Sequence, residues 1–448
     1  MTVPKVQARV PRGMRDILPQ QMIKRQYVMD TVREIFERFG FEPLQTPALE
    51  LKETLLGKYG ADAEKLIYYA QHSQGSEELA LRYDLSVSLC RVAAMYQDLP
   101  KPFKRYQIAP VWRAERPQKG RYREFYQCDV DIVGSASMLA DAEIINVVYQ
   151  GLKQLGFKQF RTVLNNRKLL AGLAQYAGVP AEQAGRLYRS IDKLEKIGVD
   201  GVKEELQANG VADQAAAHLM DLLQMRGTNR ELIAAFRARF QDYPGALAGI
   251  GELEEIIGYL NALAIPEEYY QIALAMVRGL EYYTGPIYET LVEEPRIGSI
   301  TGGGRYDGLI GLFTGQSFPA TGTSLGIERI IDVMDELGMF PPGIGTTVVQ
   351  VLVTLFDTSS TPATLEIASE LRRGGVNAEL YFEPGTLGKQ IRYAAKKGIP
   401  FLVIAGPDEL AAGQVTLRDL ASGQQETIAR GEMLSTLQKW LAGRARGS

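Results

Sequence analysis

The amino-acid sequence predicts an α+β protein: an antiparallel sheet flanked by helices, with a helical insertion and a C-terminal α/β domain. Two stretches between residues 103 and 132 alternate apolar and polar residues, as the strands of a hairpin do. Residues 170–265 are rich in Ala, Leu, Glu, Gln and Lys with few strand signals, which is typical of helices. After residue 346, short apolar runs alternate with helical patterns, which indicates parallel βαβ units.

The length and composition are those of a globular protein with more than one domain. The chain has 448 residues, whereas single hydrophobic cores stop growing at roughly 250 to 300 residues. Apolar residues make up 46% of the chain and charged residues 23%, so neither disorder nor a fibrous fold is indicated. The formal charge of −3 excludes a global attraction to polyanions, although a local basic face could still hold nucleic acid.

Cysteine, histidine and hydropathy patterns limit the possible cofactors and location. Cys90 and Cys128 are the only cysteines and lie far apart, so neither a disulfide framework nor a cysteine-based zinc site is predicted. His72 and His218 have no companion ligands in the sequence, so we expect no zinc. The first residues contain no apolar targeting segment and no later stretch is long and uncharged enough to span a bilayer. These patterns predict a cytoplasmic protein without membrane contact.

The first predicted elements are a helix and a hairpin. Apolar residues recur at three- and four-residue steps over 22–39, and Gly40 ends this helical pattern. In the hairpin, even positions carry the apolar residues, and a polar turn through Pro117 and Gly120 joins the two strands. If the apolar sides share a core, one opposite face carries Arg113, Glu115, Phe125, Gln127, Asp129 and Asp131.

The remaining patterns define the domains. Beyond a Phe-Pro-Pro-Gly-Ile-Gly segment at 340–345, strands are predicted at 348–355, 378–382 and 401–405, with helices near 365–373 and 389–397. The predicted division is a first domain in two parts, 1–169 and 266–338, a helical insertion at 170–265, a linker at 339–346 and a C-terminal α/β domain at 347–448.

No standard nucleotide-binding loop is present. Gly-Gly-Gly-Arg at 302–305 lacks the Lys-Ser/Thr of a P-loop and the spacing of a dinucleotide fingerprint. The hairpin turn offers another phosphate site, because planar guanidinium groups suit bidentate contacts with phosphate oxygens. The arginines concerned are Arg113, Arg116, Arg121 and Arg123. Taken alone, such a charge run is more often a solvated turn.

Several uncommon sequence strings, taken together, favour the phosphate site over the solvated turn. They are Pro-Arg-Gly-Met-Arg-Asp at 11–16, Thr-Pro at 46–47, Arg-Tyr-Arg-Glu-Phe at 121–125, Arg-Gly-Leu-Glu-Tyr-Tyr-Thr-Gly at 278–285, Gly-Gly-Arg-Tyr-Asp-Gly at 303–308 and Gly-Ile-Glu-Arg at 326–329. With these strings the chain resembles the histidyl-tRNA synthetases, a family of class II aminoacyl-tRNA synthetases. The match extends over nearly the whole chain. The tyrosine-rich string and the Gly-Gly-Arg-Tyr-Asp-Gly string are peculiar to this family and its close paralogues.

The resemblance implies a reaction and an ATP site. In such enzymes the histidine carboxylate attacks the α-phosphate of Mg-ATP, and the resulting adenylate then loads the 3′ end of tRNA(His). ATP and Mg²⁺ are therefore expected, with Mg²⁺ carried by ATP and no protein-only metal site. By resemblance, Arg113 and Arg278 are catalytic and contact the α-phosphate from opposite sides. Phe125 and Arg329 enclose adenine, and Glu115 and Arg121 are further ATP contacts.

The resemblance also implies a pocket for L-histidine. Asp84 and Gln127 would bind the α-amino group, while Asp131 and Tyr283 would bind the imidazole nitrogens. The walls would be completed by Ser86, Tyr282 and Tyr306. A pocket whose polar groups are left unpaired by other amino acids can reject them by about 10⁴ to 10⁵ without editing.

The sequence departs from the commonest family pattern at this pocket. Arg-Tyr-Asp-Leu-Ser at 82–86 stands where many members have Arg-Pro-Glu-Gly-Thr, and Asp131 stands where glutamate is frequent. Each aspartate is one methylene shorter, so the pocket geometry must compensate. Local alternatives also exist, because Asp84 could cap a helix, the tyrosines at 282 and 283 could be strand aromatics, and the glycines at 302–304 could form a tight turn.

Partners and rival functions follow from the same resemblance. A homodimer is expected, and the C-terminal domain is expected to read the anticodon with candidate contacts Arg372, Arg373, Lys389, Arg392, Lys396 and Lys397. The main alternative is a paralogue that binds histidine as a catalytically inactive regulatory subunit of ATP phosphoribosyltransferase. Such subunits generally lack the anticodon domain and the catalytic arginines. A further alternative is a scaffold that binds uncharged tRNA, in which the catalytic strings would be broken.

Overall fold

The computed structural model describes residues 7–118, 120–277 and 282–446. The chain forms two compact units, the first comprising 28–338 with the residues up to 16, and the second comprising 17–27 with 339–448. Within the described residues, no helix combines the length and apolarity needed to cross a membrane.

The first unit is built from eleven strands and the helices between them. The strands are β1 (Glu42–Pro43), β2 (Leu49–Leu51), β3 (Tyr69–Ala70), β4 (Leu79–Leu81), β5 (Phe103–Trp112), β6 (Glu124–Val133), β7 (Phe160–Asn166), β8 (Tyr270–Ile272), β9 (Pro286–Val292), β10 (Thr301–Arg305) and β11 (Ala320–Gly326) among the described residues. The α-helices up to residue 338 are α1 (Pro19–Arg38), α2 (Lys52–Leu55), α3 (Ala61–Glu64), α4 (Ser86–Met95), α5 (Met138–Gln154), α6 (Arg167–Tyr176), α7 (Ala184–Ile191), α8 (Leu194–Ala208), α9 (Asp213–Leu223), α10 (Asn229–Arg239), α11 (Pro244–Ala262), α12 (Gly311–Thr314) and α13 (Ile327–Glu336).

An eight-stranded sheet organises this unit, in the order β1-β5-β6-β11-β10-β9-β7-β8. The predicted hairpin is confirmed, since β5 and β6 pair antiparallel with Arg105 opposite Asp131 and Val111 opposite Phe125. On its other side β6 pairs antiparallel with β11, which places Gly322 opposite Asp131. The antiparallel centre of the sheet, flanked by helices, is the predicted fold class.

Glycines allow the strands at the sheet centre to approach closely. The glycines at 302–304 lie within β10 and do not form the tight turn that was the alternative interpretation. A Cβ added at Gly303 would lie 2.2 Å from the carbonyl oxygen of Gly322. A Cβ added at Gly322 would lie 2.0 Å from Oδ1 of Asp131. Both positions therefore require glycine, because the Gly322 carbonyl oxygen and the Asp131 carboxylate lie where a Cβ atom would be.

The predicted helical region lies between β7 and β8, which pair parallel at the sheet edge. Helices α6 to α11 occupy it, and the first of them is capped by Asn166, whose side chain accepts from the amide of Lys168. Helix α10 starts with a capping box between Thr228 and Glu231. Helix content is therefore confirmed here, while the domain limits 170 and 265 stay a prediction.

The second unit contains a five-stranded sheet. Its elements are β12 (Val351–Val353), α14 (Thr361–Arg373), β13 (Ala378–Leu380), α15 (Leu387–Lys397), β14 (Phe401–Ile404), α16 (Pro407–Ala411), β15 (Gln414–Asp419), β16 (Gln425–Ala429) and α17 (Met433–Arg446). The order is β13-β12-β14-β15-β16. Strands β12, β13 and β14 are parallel, as predicted, but β15 and β16 add an antiparallel edge that the sequence interpretation missed.

Candidate active site

A cavity of about 340 Å³ lies in the first unit, with residues of β6, β9, β10 and β11 in its walls. The predicted site residues within the described part of the chain all line it: Asp84, Ser86, Arg113, Glu115, Arg121, Phe125, Gln127, Asp131, Tyr282, Tyr283, Tyr306 and Arg329. The predicted catalytic residue Arg278 lies outside the described residues. Residues from separate chain segments thus converge on one cavity, although their individual roles stay predictions.

Asp84 serves two neighbours with one oxygen. Its Oδ1 accepts from the hydroxyl of Tyr59 at 3.1 Å and from the amide of Val87, in the first turn of α4, at 3.0 Å. This oxygen therefore binds an amide of the first turn of α4, although Leu85 and not Asp84 is the N-cap residue of that helix. The other oxygen, Oδ2, is buried without a hydrogen-bond partner among the described residues. Because buried carboxylate oxygens are normally satisfied, Oδ2 is available to a ligand.

Asp131 lies at the same end of the cavity and is held by two neighbours. The hydroxyl of Tyr306 donates to its Oδ1 at 2.5 Å. A guanidinium nitrogen of the fully buried Arg105 lies 2.8 Å from Oδ2, without the alignment of a hydrogen bond. Burial raises the pKa of Asp131, and the Arg105 charge and the Tyr306 hydroxyl oppose that rise. Arg105 and Tyr306 thus stabilise the ionised form of Asp131 against the cost of burial.

Gln127 stands beside these acids on β6. Its Nε2 donates to Ser324 Oγ at 3.1 Å and to Asp129 Oδ1 at 3.3 Å. Its Oε1 is buried and has no hydrogen-bond partner within the described ranges. Burial raises the pKa of Asp129 to about 7, while the nearby Arg105 charge lowers it. This end of the cavity therefore offers acceptor oxygens without matching donors, which suits a cationic ligand group.

Three tyrosines, Tyr282, Tyr283 and Tyr306, form part of the cavity wall. The ring centroids of Tyr282 and Tyr283 are 4.9 Å apart, and those of Tyr282 and Tyr306 are 5.9 Å apart, both edge to face. Tyr282 and Tyr283 precede β9, so they are not the strand aromatics of the alternative interpretation. Burial raises the pKa of both tyrosines, which keeps their hydroxyls protonated and able to donate.

Cationic groups line the part of the cavity around Phe125, the cationic end, and they are Arg113, Arg121 and Arg329. Arg113 donates from Nε to the carbonyl of Tyr83 at 3.0 Å. Its guanidinium carbon lies 4.4 Å from the Tyr83 ring centroid and 5.1 Å from that of Phe125. Arg121 pairs with Glu115 at 3.2 Å, and Arg329 donates to the carbonyl of Ser299 at 2.6 Å. A planar aromatic ring beside several guanidinium groups can bind a purine and its phosphates.

The four hairpin arginines separate into two pairs. Arg113 and Arg121 line the cavity, whereas Arg116 is exposed outside it. Arg123 does not line it either, because its side chain donates to the carbonyls of Glu115 and Arg12. The sequence pattern alone could not separate them, since all four flank the same turn.

A protein metal site would need a particular arrangement of ligands in the cavity. Within the described residues, no group of three or more His, Cys, Asp or Glu side chains is placed to hold a metal ion. Glu115, on the cationic side, is already paired with Arg121.

Family comparison identifies the chain. Residues 13–330 match the histidyl-tRNA synthetase family model, a stretch that includes the described cavity. The chain belongs to the histidyl-tRNA synthetase family. Residues 350–440 match the model of an anticodon binding domain, and they lie in the second unit.

Individual relatives of this synthetase family agree over nearly the whole chain. The histidine–tRNA ligase of Gloeobacter violaceus is 44% identical, over 97% of this chain and 98% of the relative. That of Aeropyrum pernix is 42% identical, with the same coverage of 97% and 98%. The crystal structure of histidyl-tRNA synthetase from Nostoc sp. PCC 7120 superposes with a TM-score of 0.85 at 34% identity, covering 97% of this chain and 100% of that one.

A more distant structure shares the fold alone. It is described as an ATP phosphoribosyltransferase regulatory subunit/histidyl-tRNA synthetase from Bacillus halodurans C. Its identity is 23%, its TM-score is 0.72, and the alignment covers 87% of this chain and 97% of that chain. The histidyl-tRNA synthetase relatives match at higher identity and coverage, so the regulatory-subunit alternative is not the better supported one.

The synthetase site also contains residues for which the sequence interpretation gave no role. Arg105 and Asp129 lie on the predicted polar face of the hairpin, and alternation was the signal that placed them there. Tyr59, which donates to Asp84, gave no such signal because its contact depends on tertiary structure.

The family string at 11–16 has a visible structural use in this synthetase. The Arg15 guanidinium lies 2.5 Å from Glu328 and 3.7 Å from the centre of the Tyr122 ring. The carbonyl of Gly13 accepts from the amide of Arg123 at 2.9 Å. This segment therefore braces the hairpin turn and the start of α13, both of which contribute side chains to the cationic end.

Proposed function

We propose that this protein activates L-histidine with ATP and transfers it to the 3′ end of tRNA(His). The observation that carries this proposal is a single cavity with an acid-lined end and an end containing arginines beside an aromatic ring. The two ends have the complementary charge for an amino acid with a cationic group and for a triphosphate. Curated relatives named histidine–tRNA ligase support it at 42% and 44% identity.

Histidine would occupy the acidic end. Asp84 Oδ2 and Gln127 Oε1, which lack partners within the described residues, would accept hydrogen bonds from the α-ammonium group. Asp131 would accept from one imidazole nitrogen, and the Tyr283 hydroxyl would donate to the other. Ser86, Tyr282 and Tyr306 complete the wall. Because an amino acid with an apolar side chain would offer Asp131 no hydrogen-bond donor in place of the imidazole, discrimination would need no editing step.

ATP would occupy the cationic end. Phe125 would stack on adenine with Arg329 near its other face, and Arg121 and Glu115 would contact the remainder of the nucleotide. The histidine carboxylate would attack the α-phosphorus, so that a carboxylate–phosphorus bond forms while the bond to pyrophosphate breaks. Arg113 would stabilise the charge that develops on the α-phosphate, and Arg278 is proposed for the same task. Mg²⁺ enters with ATP as part of the substrate.

The second unit would bind the anticodon. Among the predicted contacts, Lys397 is paired with Glu379, Lys389 lies 3.6 Å from Glu383, and Arg372 donates to the carbonyl of Ala378. Arg392 and Lys396, both on α15, have no side-chain partner among the described residues. These two cations are therefore favoured as phosphate contacts. A homodimer and a cytoplasmic location are proposed from the family resemblance.

The test is isotope exchange between pyrophosphate and ATP, dependent on histidine, followed by aminoacylation of tRNA(His). Exchange with histidine and Mg-ATP, but with no other amino acid, is expected before any tRNA is added. Loading of tRNA(His) and not of a tRNA for another amino acid is then expected. Histidine binding without exchange would contradict the proposal and favour a regulatory subunit.

A further inference from the structure

The orientation of the Gln127 side-chain amide has a structural cause. An amide has an accepting oxygen and a donating NH₂ group, and only the oxygen can accept a hydrogen bond from an ammonium group. In this site the NH₂ of Gln127 faces Asp129 Oδ1 and Ser324 Oγ. An ionised carboxylate only accepts, so it binds the NH₂ end of the amide and not the oxygen. Oε1 is left buried and unpartnered within the described ranges.

We infer that Asp129 is a positioning residue of the histidine subsite: it holds the Gln127 amide so that the oxygen, and not the NH₂ group, faces the α-ammonium of bound histidine. This inference rests on the proposed function, in which Gln127 binds that ammonium. Asp129 itself would act through Gln127 and need not touch the substrate. Ser324 alone could not fix the orientation, because a hydroxyl donates as readily as it accepts.

Burial disfavours an ionised Asp129, but neighbouring positive charge and a hydrogen-bond donor favour it in the complex. Asp129 is 2% exposed, and Arg105, which approaches from β5, is 0% exposed. The charged groups near Asp129 include Arg105 on β5, Arg82 after β4, Asp131 on β6 and Asp84 before α4, while Ser324 on β11 donates a hydrogen bond to it. Asp129 and Asp131 both interact with the buried Arg105. An arriving ammonium group supplies a further positive charge, which favours the ionised form of Asp129.

The inference predicts a selective effect of Asp129→Ala. Without the carboxylate, the Gln127 amide can rotate and turn its NH₂ group toward the ammonium. The dissociation constant for L-histidine should rise about 10- to 100-fold, the range expected for losing a hydrogen bond to a charged group. The same loss is expected for L-histidinol, which keeps the ammonium. Imidazole propionate, which lacks the ammonium, should bind within about threefold of its wild-type affinity.

The experiment is calorimetric titration of wild type, Asp129→Ala and Asp129→Asn with these three compounds. The asparagine side chain can still present an oxygen to Gln127 Nε2, so Asp129→Asn should recover most of the lost histidine affinity. Equal weakening of all three compounds by Asp129→Ala would mean a general loss of pocket structure and would overturn the inference. Unchanged histidine affinity would overturn it as well. Because binding is measured directly, a wild type that binds histidine but does not exchange pyrophosphate contradicts only the proposed function.

A double-mutant cycle separates an indirect role of Asp129 from a direct one. If Asp129 acts through Gln127, Asp129→Ala should cost little additional histidine affinity in a Gln127→Ala background. Additive losses in the double variant would instead indicate that Asp129 contacts the substrate itself, which contradicts a positioning role. Circular dichroism of each variant verifies that the fold is retained.

Discussion

Replacing Arg113 by glutamine tests the cationic end of the cavity. The Arg113 guanidinium is fixed by one hydrogen bond to the Tyr83 carbonyl and by two aromatic rings, at 4.4 and 5.1 Å. Its two terminal nitrogens have no hydrogen bond among the described residues and can reach a ligand in the cavity. Glutamine keeps a polar side chain but removes the charge and the planar fork.

The expected loss can be set from what the arginine does in the transition state. Removing one preorganised donor from a developing negative charge typically costs a factor of about 10² to 10³ in turnover. Arg113→Gln should therefore lower kcat for pyrophosphate exchange by that factor. The KM for histidine should stay within about threefold, because Arg113 is proposed to act on the α-phosphate and makes no hydrogen bond to Asp84 or Asp131 among the described residues. Losing the two cation–π contacts should also lower the free energy of unfolding by about 1 kcal/mol.

The assay is histidine-dependent exchange with both substrates varied. Arg116→Gln is the matched control, because it removes an exposed arginine of the same hairpin that does not line the cavity. This control should exchange at close to the wild-type rate. The assigned role of Arg113 would be refuted by near-normal kcat in Arg113→Gln, or by an equal loss in both variants.

Three further predictions address the histidine end and the fold. Gly322→Ala should raise the dissociation constant for histidine at least tenfold by calorimetry, because the added Cβ would lie 2.0 Å from Asp131 Oδ1. Asp141→Asn should lower the free energy of unfolding by about 3 kcal/mol or more in denaturant titrations, because it breaks the buried pair with Arg305. Its control, Glu254→Gln in an exposed pair with Arg237, should change it by under about 1 kcal/mol. Burial raises the pKa of Asp129 from 3.8 to about 7, so the free energy of unfolding should fall as the pH rises from about 4 to about 7. Asp129→Asn removes this ionisable group and therefore its share of the fall. The free energy of unfolding of the variant minus that of the wild type should increase by a few kcal/mol from about pH 4 to about pH 8. Parallel pH profiles of the two proteins would contradict this prediction.

Local patterns predicted those parts of the molecule that depend on neighbouring residues. The β5–β6 hairpin is an example, because alternation over ten-residue strands fixes which side chains share a face. The family strings then gathered residues from distant segments, and the cavity contains every one of the predicted site residues that the structure describes. Strands β15 and β16 were missed because short, partly exposed strands leave a weak alternating pattern.

Contacts across the fold could not be predicted from sequence. Arg15 and Glu328 are 313 positions apart, and no local pattern relates them. The separate roles of the two Asp84 oxygens could not be predicted either, since local sequence offered helix capping and substrate binding as competing alternatives. The structure assigns one oxygen to the helix and leaves the other unpartnered within the described residues, so the two functions are compatible.

The closeness of Asp84, Asp129 and Asp131 has a consequence for the lifetime of the protein. Arg105 offsets the mutual repulsion of these acids only in part, and the cationic group of a bound histidine would reduce it further. A ligand that binds only the folded chain slows loss of that chain in proportion to its concentration. Heat inactivation should therefore be slower in histidine-rich medium, so that amino-acid supply would govern both the activity of the enzyme and how long each molecule survives.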